Sequence, residues 1–101
     1  MAFRMQIRPG TEAEYLRRHQ EIWPEMEEAL RDAGFRNYSI YRDSLVLFAC
    51  FEADDPLETW RRVRANPVDA RWSAMMSDIL LTEPDPDTGL PIPLPEMFHL
   101  D

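Results

Sequence analysis

The sequence predicts an α+β fold, one antiparallel sheet with helices packed on one of its faces. Three observations predict it. Residues 3–8 alternate apolar and polar, the period of a strand with one wet face. Residues 15–33 carry core-type side chains at spacings of three and four, the period of a helix. Residues 45–51 are apolar at nearly every position, as in a strand covered on both sides.

Each element has its own signals. Phe3, Met5 and Ile7 alternate with Arg4, Gln6 and Arg8, and Pro9-Gly10 ends that strand. Thr11 is followed three residues later by Glu14, a capping-box pattern, so a helix starts there. Its stripe runs Tyr15, His19, Ile22, Met26, Ala29, Ala33, widened by Trp23 and Leu30, to a terminal glycine at Gly34. Pro24 interrupts the stripe without shifting its phase. Its ring clashes with the carbonyl of Gln20 and it offers no N–H. The segment is either one kinked helix or two nearly coaxial pieces, the second opening with Pro24 in its first turn. Either version opens space beside His19.

Residues 35–43 read as a strand rich in tyrosine, and Asp43-Ser44 is a turn. The run Leu45–Phe51 lacks the alternation of a half-solvated strand. A helix layer covers one face, and a second subunit is the economical cover for the other. Asp54 or Asp55 before Pro56 starts the next helix, with Leu57, Trp60 and Val63 inward. Asn66-Pro67 breaks it and starts another, with Val68, Trp72, Met75, Met76 and Ile79 inward. Residues 82–95 hold five prolines and form neither helix nor inner strand. That loop is either disordered or wrapped on a partner. "EMFHL" closes the chain as a short strand. The order strand, helix, strand, strand, helix, strand is the split βαβ, ferredoxin-like arrangement, a single domain over residues 1–101.

Composition excludes several functions. A net charge of −8 argues against nucleic acid and against anionic membrane surfaces. Cys50 is the only cysteine, so no disulfide framework or thiolate metal cluster is expected. The opening residues contain no long apolar run, and a soluble cytoplasmic domain is the default. With three glycines there is no phosphate-cradling loop, and neither GxSxG nor HExxH occurs. A protein-bound zinc is therefore not expected.

His19 stands out among core-type neighbours. A packed structural histidine is its ordinary explanation; a general acid or base near neutral pH is the functional one. Tyr15 lies one turn earlier on the same face. Tyr15, Tyr38 and Trp72 are ordinarily core residues, and Arg17 and Arg18 ordinarily a solvated face.

The combination carries more than its parts. The stretch "EYLRRHQEIWPEMEEALRDAGFRNYSIY", with "MQIRPG" before it and "LFACFE", "RW" and "EMFHL" after it, resembles the L-rhamnose mutarotase family over nearly the whole chain. The resemblance implies small ferredoxin-like homodimers, a dimeric α/β barrel, interconverting the α and β anomers of L-rhamnose without a metal or organic cofactor. It implies His19 as proton donor, Tyr15 and Tyr38 as sugar contacts and Trp72 as a pocket wall. The family's second consecutive tryptophan is here Ser73, which removes one aromatic wall and leaves a related 6-deoxy sugar such as L-fucose open. The general base stays open among a carboxylate, a water and His19 in alternation. A haem-binding dimeric barrel and a non-catalytic dimer are the readings from other classes.

Overall fold

The computed structural model describes residues 1–101. Its elements are β1 (Ala2–Gln6), α1 (Glu12–Gln20), α2 (Pro24–Ala33), β2 (Arg36–Asp43), β3 (Val46–Glu52), α3 (Pro56–Arg64) and α4 (Pro67–Met76). The sheet is antiparallel with order β1-β3-β2, and the helices lie on one face.

The predicted break at Pro24 gives two helices. α1 ends at Gln20, and α2 begins on Pro24 after an extended Trp23. Gly34 ends α2 at a φ of 110°, where a residue with a Cβ is strained. A Cβ there would also meet Thr59 Oγ1 at 3.2 Å, so the glycine lets α2 approach α3. Asp55 caps α3 by accepting from the Glu58 N–H at 3.2 Å, and Asn66 caps α4 by accepting from the Val68 N–H at 3.0 Å.

Several expectations are corrected. The capping box at Thr11 does not form: the Thr11 hydroxyl donates to the Arg8 carbonyl, and Glu14 is taken by Arg17 and Arg18. Leu57 is exposed, and Thr59 takes a buried place on α3 instead. Residues 82–95 fold back on their own chain, burying Leu90 in the core. "EMFHL" forms no strand, and Met97, Phe98 and Leu100 are exposed. The free edge of β1 is taken instead by two short pieces. The Leu81 N–H donates to the Gln6 carbonyl and the Leu94 N–H to the Ala2 carbonyl, each at 2.8 Å. Pro91, Pro93 and Pro95 have no N–H to offer, so a regular ladder does not continue there.

The run at β3 alternates after all. Leu47, Ala49 and Phe51 are buried under the helices, whereas Phe48 and Cys50 are exposed on the outer face. Tyr41, paired with Phe48, is exposed beside it.

The core has two parts. The larger gathers Phe3, Phe35, Phe51, Trp60 and Val63 with the buried face of α2. The smaller holds Ile7, Tyr15, Leu47, Met76 and Ile79. Met5, Ile40 and Trp72 touch both and mark the seam. The helices divide the same way: α2, α3 and α4 pack on one another, while α1 makes no comparably close approach to any element. The Trp60 indole nitrogen is the one buried side-chain polar atom without a partner, a cost of about 1–3 kcal/mol.

Candidate functional site

His19 sits in the last turn of α1, just before the chain breaks toward Pro24. Its ring stacks on Tyr15, with centroids 4.1 Å apart and planes 20° apart, as a spacing of four on a helix allows. Trp72 meets the same ring edge-on at 5.4 Å, and Trp23 packs behind Trp72 at 5.2 Å. Nδ1 of His19 lies 3.1 Å from the Tyr15 carbonyl oxygen. A carbonyl only accepts, so Nδ1 carries the proton and donates it. In neutral imidazole that leaves Nε2 with the free lone pair. Burial pushes the His19 pKa below its ordinary value, and the bond to the Tyr15 carbonyl opposes part of that shift.

A cleft of about 490 Å³ opens between α1 and the β2 side of the sheet. Tyr15, Leu16 and His19 line it from the helix and Ile40, Arg42 and Leu47 from the sheet, with Glu12 at the rim. The cleft is mostly apolar with a few polar groups, the usual character of a small-molecule site.

Tyr38 is not on that wall. It lies on the same sheet face as Ile40, two residues earlier, and its ring stacks on Phe35 at 5.3 Å. A separate recess of about 270 Å³ reaches it, lined also by Leu30, Phe35 and Asn37. Burial, foremost, and the nearby Tyr15 raise the Tyr38 pKa, and burial raises that of Tyr15, so both stay neutral donors and acceptors at physiological pH. The structure thus stacks Tyr15 on His19 and sets Trp72 edge-on to His19, while Tyr38 packs with the larger part of the core, near enough to Tyr15 for that phenol to bear on its own. Ser73 is exposed on α4 and lines neither cleft.

The two adjacent arginines part company. Arg17 is exposed and pairs only locally, with Glu14 on its helix and Glu21 just past its end. Arg18 is 16% exposed and donates to Asp78 and to the Met75 carbonyl, at 2.9 and 3.0 Å. It ties the end of α1 to the end of α4, one residue before His19. The solvated-face reading of Arg18 is corrected by these bonds. Its place three residues after Tyr15, close to the inward stripe, was the available signal. Arg17, first, and Arg18 hold the Glu14 pKa down to about 2, so that carboxylate stays ionised. No group of three or more His, Cys, Asp or Glu stands together to hold a metal ion.

With this geometry in view, the comparisons with known proteins agree. The family model for L-rhamnose mutarotase matches residues 1–100. An L-rhamnose mutarotase of Phocaeicola vulgatus is 43% identical over 99% of this chain and 96% of its own length. One from Verminephrobacter eiseniae is 47% identical over 100% of this chain and 95% of its own. The crystal structure of an L-rhamnose mutarotase from Formosa agariphila superposes with a TM-score of 0.78 at 32% identity, covering 99% of this chain and 96% of that one. By sequence along its whole length and by fold, the chain belongs to the L-rhamnose mutarotase family.

Proposed function

We propose that the chain interconverts the α and β anomers of L-rhamnose, with His19 carrying the proton between the anomeric oxygen and the ring oxygen. One observation carries the role: His19 lines an open cleft with Nδ1 bonded to the Tyr15 carbonyl and Nε2 left without a partner. Ring opening breaks the bond between C1 and the ring oxygen, whose electron pair goes to that oxygen. The O1 hydroxyl gives its proton to Nε2 and C1=O1 forms. The imidazolium then gives the proton to the ring oxygen. The aldehyde turns about its C1–C2 bond and the steps reverse on its other face. His19 returns neutral, and nothing is oxidised or reduced. A depressed pKa suits this cycle, because the resting group must be a base and the transient imidazolium a willing acid.

Tyr15 and Tyr38 orient sugar hydroxyls, and Trp72 offers an apolar ring face to the sugar's C–H surface. For Ser73 the exposed position supports a role only outside the cleft as it stands. The family match favours L-rhamnose over L-fucose and over the haem-binding and non-catalytic readings.

We also infer a cytoplasmic homodimer. Phe48 and Tyr41 on the outer sheet face and Met97, Phe98 and Leu100 at the C-terminus form apolar surface that a second copy would cover. The exposed free thiol of Cys50 suits a reducing compartment. No helix is long and apolar enough to cross a membrane.

Saturation-transfer NMR of the anomeric protons tests the activity. The expected result is exchange above the uncatalysed background with L-rhamnose, and slower exchange with L-fucose. Background exchange with both sugars, or a Soret band on haem titration, contradicts it. Sedimentation should give a particle of two 11.9 kDa chains; a monomer at enzyme-assay concentration contradicts the dimer.

A further inference from the structure

We propose that Asp69 is a sugar-positioning residue, presenting a carboxylate oxygen to a substrate hydroxyl at the seam between the two parts of the core. The proposal rests on the sugar reading above. Asp69 stands in the first turn of α4, three residues before Trp72 and so on the same side of the helix. It is only 5% exposed, unusual for a carboxylate. Its Oδ2 accepts from Arg64 Nη1 at 2.8 Å. The Arg64 guanidinium in turn lies over the Trp60 ring, 5.2 Å from its centroid. Trp60 packs against Phe3 and Phe35, and both of those rings flank Tyr38. The pair thus adjoins the aromatic cluster that holds Tyr38, on the helix that carries Trp72. The charges of Arg64 and Asp69 both act on the Tyr38 hydroxyl.

A carboxylate offers about four acceptor sites, and Arg64 occupies one. Oδ1 makes no bond within the chain and keeps some accessible surface, although Asp69 lines neither of the two clefts. A sugar is rich in hydroxyl donors and suits such an acceptor. The simpler role for the pair is a clamp across the Asn66-Pro67 corner, joining the end of α3 to the start of α4. A clamp uses Oδ2 alone and leaves sugar selectivity untouched. That difference separates the two roles.

The test uses the full chain, L-rhamnose and its 2-, 3- and 4-deoxy analogues as competitors in the anomer-exchange assay. In the wild type, losing the hydroxyl that Asp69 holds should weaken binding by about 10-fold or more, since a buried acceptor is then left unpaired. In Asp69→Asn the KM for L-rhamnose should rise about 10-fold with kcat little changed, and the penalty for that one analogue should shrink to about 2-fold. The paired variant R64M/D69N removes both charges, so no buried charge is orphaned, and the same loss of discrimination is expected in it. Equal weakening of every sugar, or no change in any, overturns the proposal. A wild-type chain with no exchange at all overturns the sugar reading and this inference with it.

Discussion

The chain turns twice at a proline between helices, and the two corners are built differently. Between α3 and α4, Asn66 caps the new helix and the Arg64–Asp69 ion pair spans the break. Between α1 and α2, Trp23 holds the capping position with no side-chain bond, and Glu21–Trp23 link the pieces. The first corner belongs to three helices packed on one another. The second leaves α1 held to the core by Tyr15 and to α4 by Arg18, with a cleft beside it. The same local device, proline in the first helical turn, thus joins a capped, ion-paired corner at one place and borders a cleft at the other. Side chains around the proline decide which.

If that division is right, substitutions at the open corner act on rate and loss of the closed corner's cap acts on stability, Asp69 being the one residue of that corner proposed to take part in binding. The largest effect belongs to His19→Gln. Anomer exchange should fall by about 10²–10⁴-fold, with the thermal midpoint little moved. Parallel losses of rate and midpoint would break the comparison. Trp72→Ala comes next, because Trp72 bridges both parts of the core and touches His19. It should cost about 3 kcal/mol by denaturant titration and also slow exchange, so it marks where the two regions meet. Asn66→Ala should cost about 1 kcal/mol and leave exchange unchanged in the folded fraction. A slowed rate there would show that the cap, and not Asp69 alone, tunes the site.

The smallest effect is in pH. Burial lowers the His19 pKa in the folded state, so below the unfolded value of about 6.5 the unfolded chain binds the proton more readily. The stability contributed by neutral His19 is full above that pH. It is lost as pH falls from there toward the depressed folded value. Thermal midpoints of the wild type should drop more between pH 7.5 and 5.5 than those of His19→Gln; equal drops contradict the shift.

Much of this was legible in the residues, and the failures have physical causes. Helix stripes, the Gly34 stop, both proline restarts and the Tyr15–His19 pairing follow from local periodicity and backbone chemistry. The C-terminal strand was misplaced because "EMFHL" has the right composition, while occupancy of β1's edge is decided by which long-range segment arrives there. Residues 80–82 arrive directly from α4. The alternation of β3 was hidden because Phe48 and Cys50 are apolar yet face outward, a choice no single strand reveals. The bonds of Arg18 and Asp69 were missed because their partners lie far along the chain or across a break. Tyr38's place in the larger part of the core depends on how two helices and a strand converge.

The most direct test follows the His19 imidazole itself. ¹⁵N NMR of histidine-labelled protein should find the Nδ1–H tautomer with Nε2 unprotonated at neutral pH, titrating below 6.5. The acid limb of anomer exchange should share that midpoint. An exchange rate that stays flat while His19 takes up its proton would contradict the account.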